Sequence, residues 1–478
     1  MSYDRLRRSF ESCLLILPYF FPLLFSFFGE RKNFPLLLAT HSAAFLSYFI
    51  LLTRSNAIFT ERTSSAPLPS FRFWIGFGLT IRVAFLLSPP LLSEDVYRFL
   101  LDGLLSGENI SPFSRMPSEV GIADLSPEKR EIANSLLVAM NSPGFYSVYP
   151  PVLQFLFYVS SQFLLLFGDV NSGILVWKLF LLLSEVVLQF VLVKTLKKHG
   201  FPVRRSWIYW LNPLVLSEIS GNAHPESILV LFCVLSVLSF WNWTSSNDEK
   251  DGILHFLFLG SGILTKITPA AFLPFFAFRI LRGENRKTSV IRFFLYVLPW
   301  IAIVFGFLFF PETIRKQNRS GLGVFFQLFE FNGSVYYVLR EFLRVIGEDF
   351  YAAGKYCAAL SGISISVYSL LKRKTTAIGD LFGAAETVYC IFLIFSTTVH
   401  PWYILPLLGF CVFSGRISPI VWSFIILVSY STYSVVPFRD SFFWLGIEYG
   451  ILFFFLHIDY KRSVSSTKTS ENTLRTRP

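Results

Sequence analysis

Charged residues are scarce in this chain. Only 15% of its 478 residues are Asp, Glu, Lys or Arg, whereas a soluble globular protein carries about 25%. Hydrophobic residues account for 53% of the sequence, and apolar runs of about 17–25 residues, the length that crosses a bilayer, recur from end to end. The composition therefore excludes an ordinary soluble domain and predicts a polytopic integral membrane protein.

Cysteine is also scarce, and no glycine-rich phosphate loop follows a strand pattern. The cysteines lie apart within apolar segments, without the pairing or spacing of a disulfide framework or a metal centre. They are Cys13, Cys233, Cys357, Cys390 and Cys411. Because the predicted inner loops are too short for a nucleotide-binding domain, an enzyme of this layout would have to take its activated substrate from the membrane. A lipid-linked donor meets that requirement.

The net charge of +11 does not indicate a nucleic-acid partner. The basic residues cluster in short connectors between apolar runs, as the positive-inside rule expects of cytoplasmic loops. The first apolar run, from Cys13, lacks a small-residue cleavage site and is interpreted as an uncleaved span. With the N-terminus inside, residues 29–33 form an outer turn and the run 73–92 crosses outward. Glu94 and Asp95 are then predicted to lie on the extracytoplasmic side.

The apolar runs predict about fourteen spans. Residues 151–167 do not fit the charge pattern as a span and are predicted to form a helix at the outer interface. Residues 252–278 are predicted to form two short helices that turn near 266–269, where a proline interrupts the helical hydrogen bonds. Two larger polar segments, 93–172 and 311–350, are predicted outside. The remaining predicted spans are 14–28, 34–53, 73–92, 174–193, 207–220, 228–243, 291–310, 351–371, 378–398, 403–413, 417–435 and 442–458.

The stretch "SEDVYRFLLDG" places three carboxylates and an arginine just after a predicted span. Ser93 is expected to cap a helix in which Glu94 and Asp95 occupy the first turn. At helical spacing Asp95, Arg98 and Asp102 share one face, whereas Glu94 points about 100° away. A carboxylate here could act as a general base toward a hydroxyl, with Arg98 orienting it or binding a phosphate. The alternative is that the acids only complement the helix dipole.

Further ionisable groups lie at the predicted outer ends of spans. The stretch "NPLVLSEISGNAHPES" carries Asn222 and His224 beside two glutamates, "LTKITP" carries Lys266, and "TTVHPWY" carries His400. An ionisable group at membrane depth costs about 2.5–3.5 kcal/mol on insertion scales. Several of them on one face therefore indicate a pocket for a phosphate-bearing lipid and a hydroxyl acceptor.

Each of these residues also has a simpler interpretation. His224 and His400 could cap helices or lie at the interface, and Lys266 could extend its amine toward the lipid headgroups. The neighbouring Trp402 and Tyr403 are interpreted as members of the aromatic belt rather than of the site.

The same stretches resemble a known family. In chain order, between residues 93 and 408, they are "SEDVYRFLLDGLLSGENISPF", "YPPVLQF", "NPLVLSEISGNAHPES", "LTKITPAAFLP", "FEFNGSVYYVL" and "HPWYILPLL". In them the chain resembles the GT-C superfamily of glycosyltransferases that use polyprenyl-phosphate sugars, especially its bacterial mannosyltransferase branch. The resemblance implies an all-α transmembrane fold with interfacial helices in the first large outer loop. It also implies inverting transfer of a hexose, most often mannose, to a lipid or glycan acceptor on the outer face.

The resemblance also assigns roles to residues. The family's base is an acid just after a span in the first large outer loop, which is Asp95 here, with Glu94 in reserve. Lys266 and His400 would lie near the donor phosphate and stabilise charge as it leaves. Residues 320–334 would order over the bound lipid. The other residues of the expected substrate-binding set are Arg98, Asp102, Tyr149, Gln154, Asn222 and His224.

The chain departs from the family at two motifs. "YRFLLDG" lacks the aromatic that relatives often carry before Asp-Gly, and "NISPF" replaces Asn-Pro-aromatic. Both departures predict an altered choice of sugar or acceptor. The adjacent acids Glu94 and Asp95 could hold a divalent metal, but no further acidic cluster is evident, so we expect no metal and no cofactor.

Three regions are expected along the chain. They are an N-terminal hairpin and inner connector (1–72), a GT-C-like catalytic membrane core (73–415), and a C-terminal hairpin with a basic cytoplasmic tail (416–478). The bacterial resemblance favours a bacterial inner membrane with an outward-facing active site. The outer sequons at Asn109, Asn318 and Asn332 would instead suit an endoplasmic-reticulum protein.

Two other functions compete with the enzyme. A transporter or flippase of lipid-linked sugars would need ionisable residues at mid-span and repeated halves. Few acids lie inside the predicted spans, Glu185 and Glu386 among them, and no halves match. A structural or polymer-assembly membrane protein would need no ionisable cluster at all on the outer side.

Overall fold

The computed structural model describes residue 11 and residues 13–55, 57, 68–120, 125–283, 285–309, 329–372 and 375–475. Within these ranges the chain contains helices and no strand, and an isolated parallel bridge joins Phe331 to Thr398. The predicted all-α fold class is confirmed.

Eighteen main helices lie in the described ranges. The first half contains α1 (Phe20–Phe28), α2 (Phe34–Arg54), α3 (Phe71–Leu86), α4 (Asp95–Gly107), α5 (Pro127–Ala139), α6 (Pro151–Phe167), α7 (Val170–Lys198), α8 (Glu226–Ser246) and α9 (Glu249–Ile263). The second half contains α10 (Leu273–Leu281), α11 (Arg286–Arg292), α12 (Leu298–Phe309), α13 (Val335–Val345), α14 (Ala353–Leu371), α15 (Ile378–Ile394), α16 (Leu405–Ser414), α17 (Ser418–Ile425) and α18 (Phe442–Arg475).

Five helices in the described part of the chain are long and apolar enough to cross a membrane, judged by length and composition. They are Phe34–Arg54, Val170–Lys198, Glu226–Ser246, Arg286–Val304 and Phe442–Val464. Shorter apolar helices accompany them, at Cys13–Phe28, Pro151–Phe167, Thr268–Leu281 and Pro401–Ser414. The count of about fourteen spans stays a prediction.

Two of the irregular segments have the predicted form. Helix α6 has the predicted bounds 151–167, and the segment 252–278 is broken as expected. In that segment α9 ends at Ile263, and a 3-10 turn (Thr268–Phe272) leads into α10. Lys266 lies in the short connection between Ile263 and this 3-10 turn. The helix does not continue through the connection, because Pro269 has no N–H to donate to the helical hydrogen bonds.

The predicted span 207–220 is wrong as a continuous helix. Pro213 has no backbone N–H, and the Asn212 side chain accepts a 2.9 Å hydrogen bond from the N–H of Leu214, which starts a new turn. The segment therefore splits into Trp207–Trp210, Pro213–Val215 and a π-helix, Leu216–Gly221. All of these residues are buried, so this part of the chain lies inside the bundle.

The acids at mid-span have arginine partners. Glu185 of α7 accepts a 2.7 Å hydrogen bond from Arg82 of α3, and both side chains are fully buried. The Arg82 guanidinium also lies 3.9 Å from the ring centre of Trp210. Glu386 of α15 pairs with Arg416 at 3.4 Å. A buried charge is tolerated only when it is paired in this way, so these acids join helices to one another.

Helix α4 packs very closely against α6. A Cβ at Gly103 would lie 2.2 Å from the carbonyl oxygen of Phe157, so only glycine fits between the two backbones. One turn earlier, the rings of Phe99 and Phe157 stack with centres 4.5 Å apart. This contact sets the height and direction of α4, and therefore the position of Asp95 at its start.

Helix α13 is amphipathic. Val338, Phe342 and Val345, at positions i, i+4 and i+7, are largely exposed, while Tyr336 and Tyr337 on the opposite face are buried. Its apolar stripe has the spacing of a helix that lies along a membrane surface.

Candidate active site

The carboxylate of Asp95 stands at the N-terminus of α4. The helix begins at Asp95 rather than one residue earlier, so Glu94 is at the N-cap position predicted for Ser93. Ser93 nevertheless accepts a 3.2 Å hydrogen bond from the Asp95 N–H. The Asp95 carboxylate is half-buried and accepts hydrogen bonds from the Asn141 amide at 3.3 Å and the Tyr149 hydroxyl at 3.5 Å.

The surroundings of Asp95 favour a proton acceptor. Burial raises the pKa of the Asp95 carboxyl above its usual range, and the negative charge of Glu94 adds to the rise, while Asn141, Lys266 and Tyr149 oppose it. A raised pKa brings a carboxylate closer to the strength that a general base needs near neutral pH. The two long hydrogen bonds leave the carboxylate accessible to a further donor.

Glu94 has a different environment. Its Oε2 accepts a 2.7 Å hydrogen bond from Arg31, which lies in the turn between α1 and α2. The Arg31 guanidinium also lies 4.4 Å from the ring centre of Tyr433. The sequence left the base as Asp95 or Glu94; the Asn141 amide donates to both carboxylates, whereas Arg31 pairs with Glu94 and the Tyr149 hydroxyl donates to Asp95.

Arg98 and Asp102 form a buried network of their own. The Arg98 Nε donates to Asp102 at 2.6 Å, and Asp102 also accepts hydrogen bonds from Ser147 at 2.6 Å and Gln154 at 3.2 Å. Arg98 Nη1 donates to the backbone carbonyl of Phe145 at 2.8 Å. Through these bonds Arg98 and Asp102 join α4 to the loop before α6 and to Gln154 of α6. The substrate-binding roles expected of Arg98, Asp102 and Gln154 stay predictions. The observed contacts of this network are among its members and to backbone carbonyls, and Arg98 Nη2 and Gln154 Oε1 have no hydrogen-bond partner among the described residues.

Lys266 lies within electrostatic reach of Asp95. Its Nζ lies 2.6 Å from Glu226 Oε1 and 3.6 Å from the ring centre of Tyr403. Its positive charge acts on Asp95, and Tyr403 lies within electrostatic reach of both Asp95 and Tyr149. Residues from the start of α4, the start of α8, the turn after α9 and the segment 400–404 therefore meet in one place.

Four rings form a stack beside this cation. The Trp402 indole lies between two imidazoles, with its ring centre 3.5 Å from that of His224 and 4.3 Å from that of His400. Phe331 continues the stack at 4.4 Å from His400. Trp402 and Tyr403 are only 6% and 7% exposed, so their interpretation as belt aromatics is wrong. They are buried because the segment 400–404 folds into the bundle instead of ending at its surface.

Three polar atoms in the pocket have no hydrogen-bond partner among the described residues. They are His224 Nε2, Glu226 Oε2 and His400 Nδ1, and all three side chains are buried. A buried polar group without a partner is costly, and such groups concentrate where a ligand supplies the missing contact. The expected roles of His224 and His400 in substrate binding stay predictions.

Asn222 lies beneath the pocket. Its side-chain oxygen accepts a 3.0 Å hydrogen bond from the Leu92 N–H, and its amide donates to Glu218 at 3.3 Å. Glu218 in turn accepts a 2.6 Å hydrogen bond from the Tyr430 hydroxyl. Asn222 therefore holds the backbone just before Ser93, and a direct role in substrate binding stays a prediction.

Residues of the segment 311–350, which was predicted to lie outside, pack against the ring stack. The Asn332 side chain is buried and donates to Glu448 at 3.0 Å, and the Asn332 N–H donates to Asp440 at 2.6 Å. These bonds fix Phe331 against His400. Because its amide is buried, Asn332 is not the accessible glycosylation sequon that the sequence allowed. The residues 320–328 expected to cover the lipid, and the sequon at Asn318, lie outside the described residues.

No group of three or more His, Cys, Asp or Glu side chains is placed to hold a metal ion in the ranges that the structure describes. Glu94 is joined to Arg31, and an arginine beside a carboxylate competes with a metal for its oxygen. The expected independence of metal and cofactor stays a prediction.

Several site residues were missed in the sequence. They are Arg31, Phe331, Trp402, Tyr403 and Tyr433. For Arg31 there was a signal, because two cations in the predicted outer turn 29–33 run against the positive-inside rule. Phe331, Trp402 and Tyr403 lie in stretches that carry the family resemblance, which was a signal for them, whereas Tyr433 lies outside those stretches.

Residues 38–282 match a family model, that of the MptA_B family, described as alpha-(1->6)-mannopyranosyltransferase, N-terminal domain. The match covers about half of the chain, and the chain belongs to this family of mannosyltransferases. The GT-C-like resemblance and the expected glycosyltransferase activity are confirmed.

The family match divides the site. Asp95, Tyr149, Glu226 and Lys266 lie within it, whereas Arg31 precedes it, and the segment 400–404 follows it. No curated protein and no solved structure matches the chain.

Proposed function

We propose that this protein transfers mannose from a polyprenyl phosphate to an acceptor hydroxyl on the extracytoplasmic face of a bacterial inner membrane, with inversion at C1. The observation that carries the proposal is the meeting of Asp95 and Lys266 in one pocket at the ends of apolar helices. A carboxylate with a raised pKa suits proton removal, and a cation a short distance away suits a leaving phosphate.

In this reaction Asp95 takes the proton of the acceptor hydroxyl as its oxygen attacks C1 of the mannose. The new C1–O bond forms while the bond from C1 to the phosphate oxygen breaks, and polyprenyl phosphate leaves. Lys266, held by Glu226 at 2.6 Å, stabilises the charge that the departing phosphate gains. Inversion converts a β-linked donor into the α product named in the family description.

A groove between α6, α7 and α8 supports a lipid donor. It has a volume of about 570 Å³ and an apolar lining that includes Phe155, Leu183 and Val187. It ends at residues 151–152 and 228, close in the chain to Tyr149 and Glu226 of the site. The backbone N–H of Val152 also donates to the carbonyl of Leu264 at 3.0 Å. A polyprenyl chain in the groove would bring its phosphate toward Lys266.

The test compares two isosteric variants of the full-length protein in lipid vesicles. The substrates are mannosyl polyprenyl phosphate and octyl α-(1→6)-dimannoside. We expect Asp95→Asn to abolish transfer and Glu94→Gln to retain measurable transfer, because Glu94 is joined to Arg31. Equal melting temperatures for both variants and the unaltered protein serve as the control for folding. Full activity of Asp95→Asn would rule out the proposed base.

A further inference from the structure

The turn between α1 and α2 carries two adjacent cations, Arg31 and Lys32, that differ in exposure and contacts. Lys32 is exposed. Arg31 reaches across to α4 and donates from Nη1 to Glu94 at 2.7 Å, with a side chain only 20% exposed. Its guanidinium lies 4.4 Å from the ring centre of Tyr433 and 6.0 Å from that of Phe438. The same turn therefore contains one solvated cation and one that is held in place.

The contacts of Arg31 join three distant parts of the chain. Arg31 precedes the region that matches the mannosyltransferase family, Glu94 lies inside it, and Tyr433 lies beyond it. A planar guanidinium can bind a carboxylate in its plane while its face rests on an aromatic ring. Tyr433 thus limits the positions that the cation can take, and the cation in turn fixes the Glu94 carboxylate.

This arrangement solves a problem of like charge. Glu94 and Asp95 are adjacent, and two neighbouring carboxylates hinder each other's ionisation. We propose that Arg31 is a positioning residue that neutralises Glu94 and keeps Asp95 ionised as the base. The proposal rests on the function proposed above, and it adds a residue from outside the family-matching region to the active site.

Replacement of Arg31 leaves the other titratable groups around Glu94 and Asp95 in place. Several titratable groups face Asp95 or Glu94 from the elements packed around them. They are Tyr97 of α4, Tyr149 before α6, Glu226 of α8, Lys266 after α9, Tyr403 of the segment 400–404 and Tyr433 of the segment 426–434. Lys266 is the cation among them, and it is already joined to Glu226. Removal of Arg31 therefore leaves the negative charge of Glu94 beside Asp95 without a neighbouring counter-charge.

The experiment measures kcat/KM against pH for the full-length protein in vesicles, with mannosyl polyprenyl phosphate and octyl α-(1→6)-dimannoside. Loss of Arg31 should move the acidic limb of the profile upward by about one pH unit in Arg31→Gln. The limb should move downward in Glu94→Gln, because the negative charge of Glu94, which raises the pKa of Asp95, is then removed. It should return close to its original position in the double variant. Arg31→Lys, which keeps the charge, should shift the limb less than Arg31→Gln.

Lys32→Gln is the matched control, because it removes a positive charge from the same turn without touching Glu94. Its profile should coincide with that of the unaltered protein. The inference is overturned if Arg31→Gln lowers kcat without moving the limb, or if the limb stays displaced in the double variant. If Arg31→Gln does not accumulate, the test is the downward shift of the acidic limb in Glu94→Gln, and the absence of that shift overturns the inference. None of these outcomes alters the test of Asp95→Asn, so the two proposals fail separately.

Discussion

Variants of the buried pair Arg98–Asp102 distinguish a structural role of these residues from a role in substrate binding. Asp102 is fully buried and accepts hydrogen bonds from Arg98 at 2.6 Å, Ser147 at 2.6 Å and Gln154 at 3.2 Å. Asp102→Ala would leave the Arg98 guanidinium, which is 3% exposed, without its carboxylate. Breaking a buried pair by removing one partner costs about 3–5 kcal/mol.

The double variant Arg98→Met/Asp102→Leu removes both charges together. Replacement of a buried ion pair by apolar residues of similar volume is often neutral or stabilising, so the double variant should regain most of the stability that Asp102→Ala loses. Arg98 also holds the backbone of Ser142 and Phe145, on either side of which lie Asn141 and Tyr149. We therefore expect the double variant to fold but to transfer mannose more slowly.

The assay is the free energy of unfolding of each variant in detergent, measured beside the KM for the mannosyl donor. Ser106→Ala is the control on the same helix. The Ser106 hydroxyl donates to the backbone carbonyl of Asp102 at 2.9 Å, and its loss should cost less than about 1 kcal/mol. The reasoning is refuted if Asp102→Ala keeps its stability while the KM rises strongly. That result would return both residues to the substrate-binding site.

Two further predictions address the phosphate and the membrane. Lys266→Met should lower kcat by about 10²–10³-fold, because the departing phosphate loses its cation. The control, Lys250→Met at the exposed start of α9, should leave kcat unchanged. A rise in KM at constant kcat for Lys266→Met would contradict the proposed role of Lys266. A nitroxide at Val345, which is 84% exposed on α13, should be relaxed by oxygen in vesicles, and one at Arg344 by a water-soluble nickel chelate. Equal access of the chelate to both labels would argue against contact between α13 and the lipid.

The local signals of the sequence predicted the all-α fold and two of its irregular segments, while the assignment of Asp95 as the base stays a prediction. Length and composition alone predicted α6 with its bounds and the break that carries Lys266, because a proline interrupts a helix whatever surrounds it. The same signals failed at 207–220, where a run of apolar residues is broken by Asn212 and Pro213. An apolar run predicts burial, and burial does not require one continuous helix.

Contacts between distant residues were decided by the tertiary structure. Helical spacing placed Asp95, Arg98 and Asp102 on one face and allowed the i,i+4 pair Arg98–Asp102. The bonds from Arg98 to the Phe145 carbonyl and from Ser147 to Asp102 depend on how the loop before α6 packs against α4. Arg31 and Glu94 are 63 residues apart, and Trp402 meets His224 across an even longer separation. The sequence determined which positions carry acidic or basic side chains. Which carboxylate has a cation beside it, and which histidine keeps an unbonded nitrogen, depended on how the helices pack, because those interactions act through space over a few ångströms.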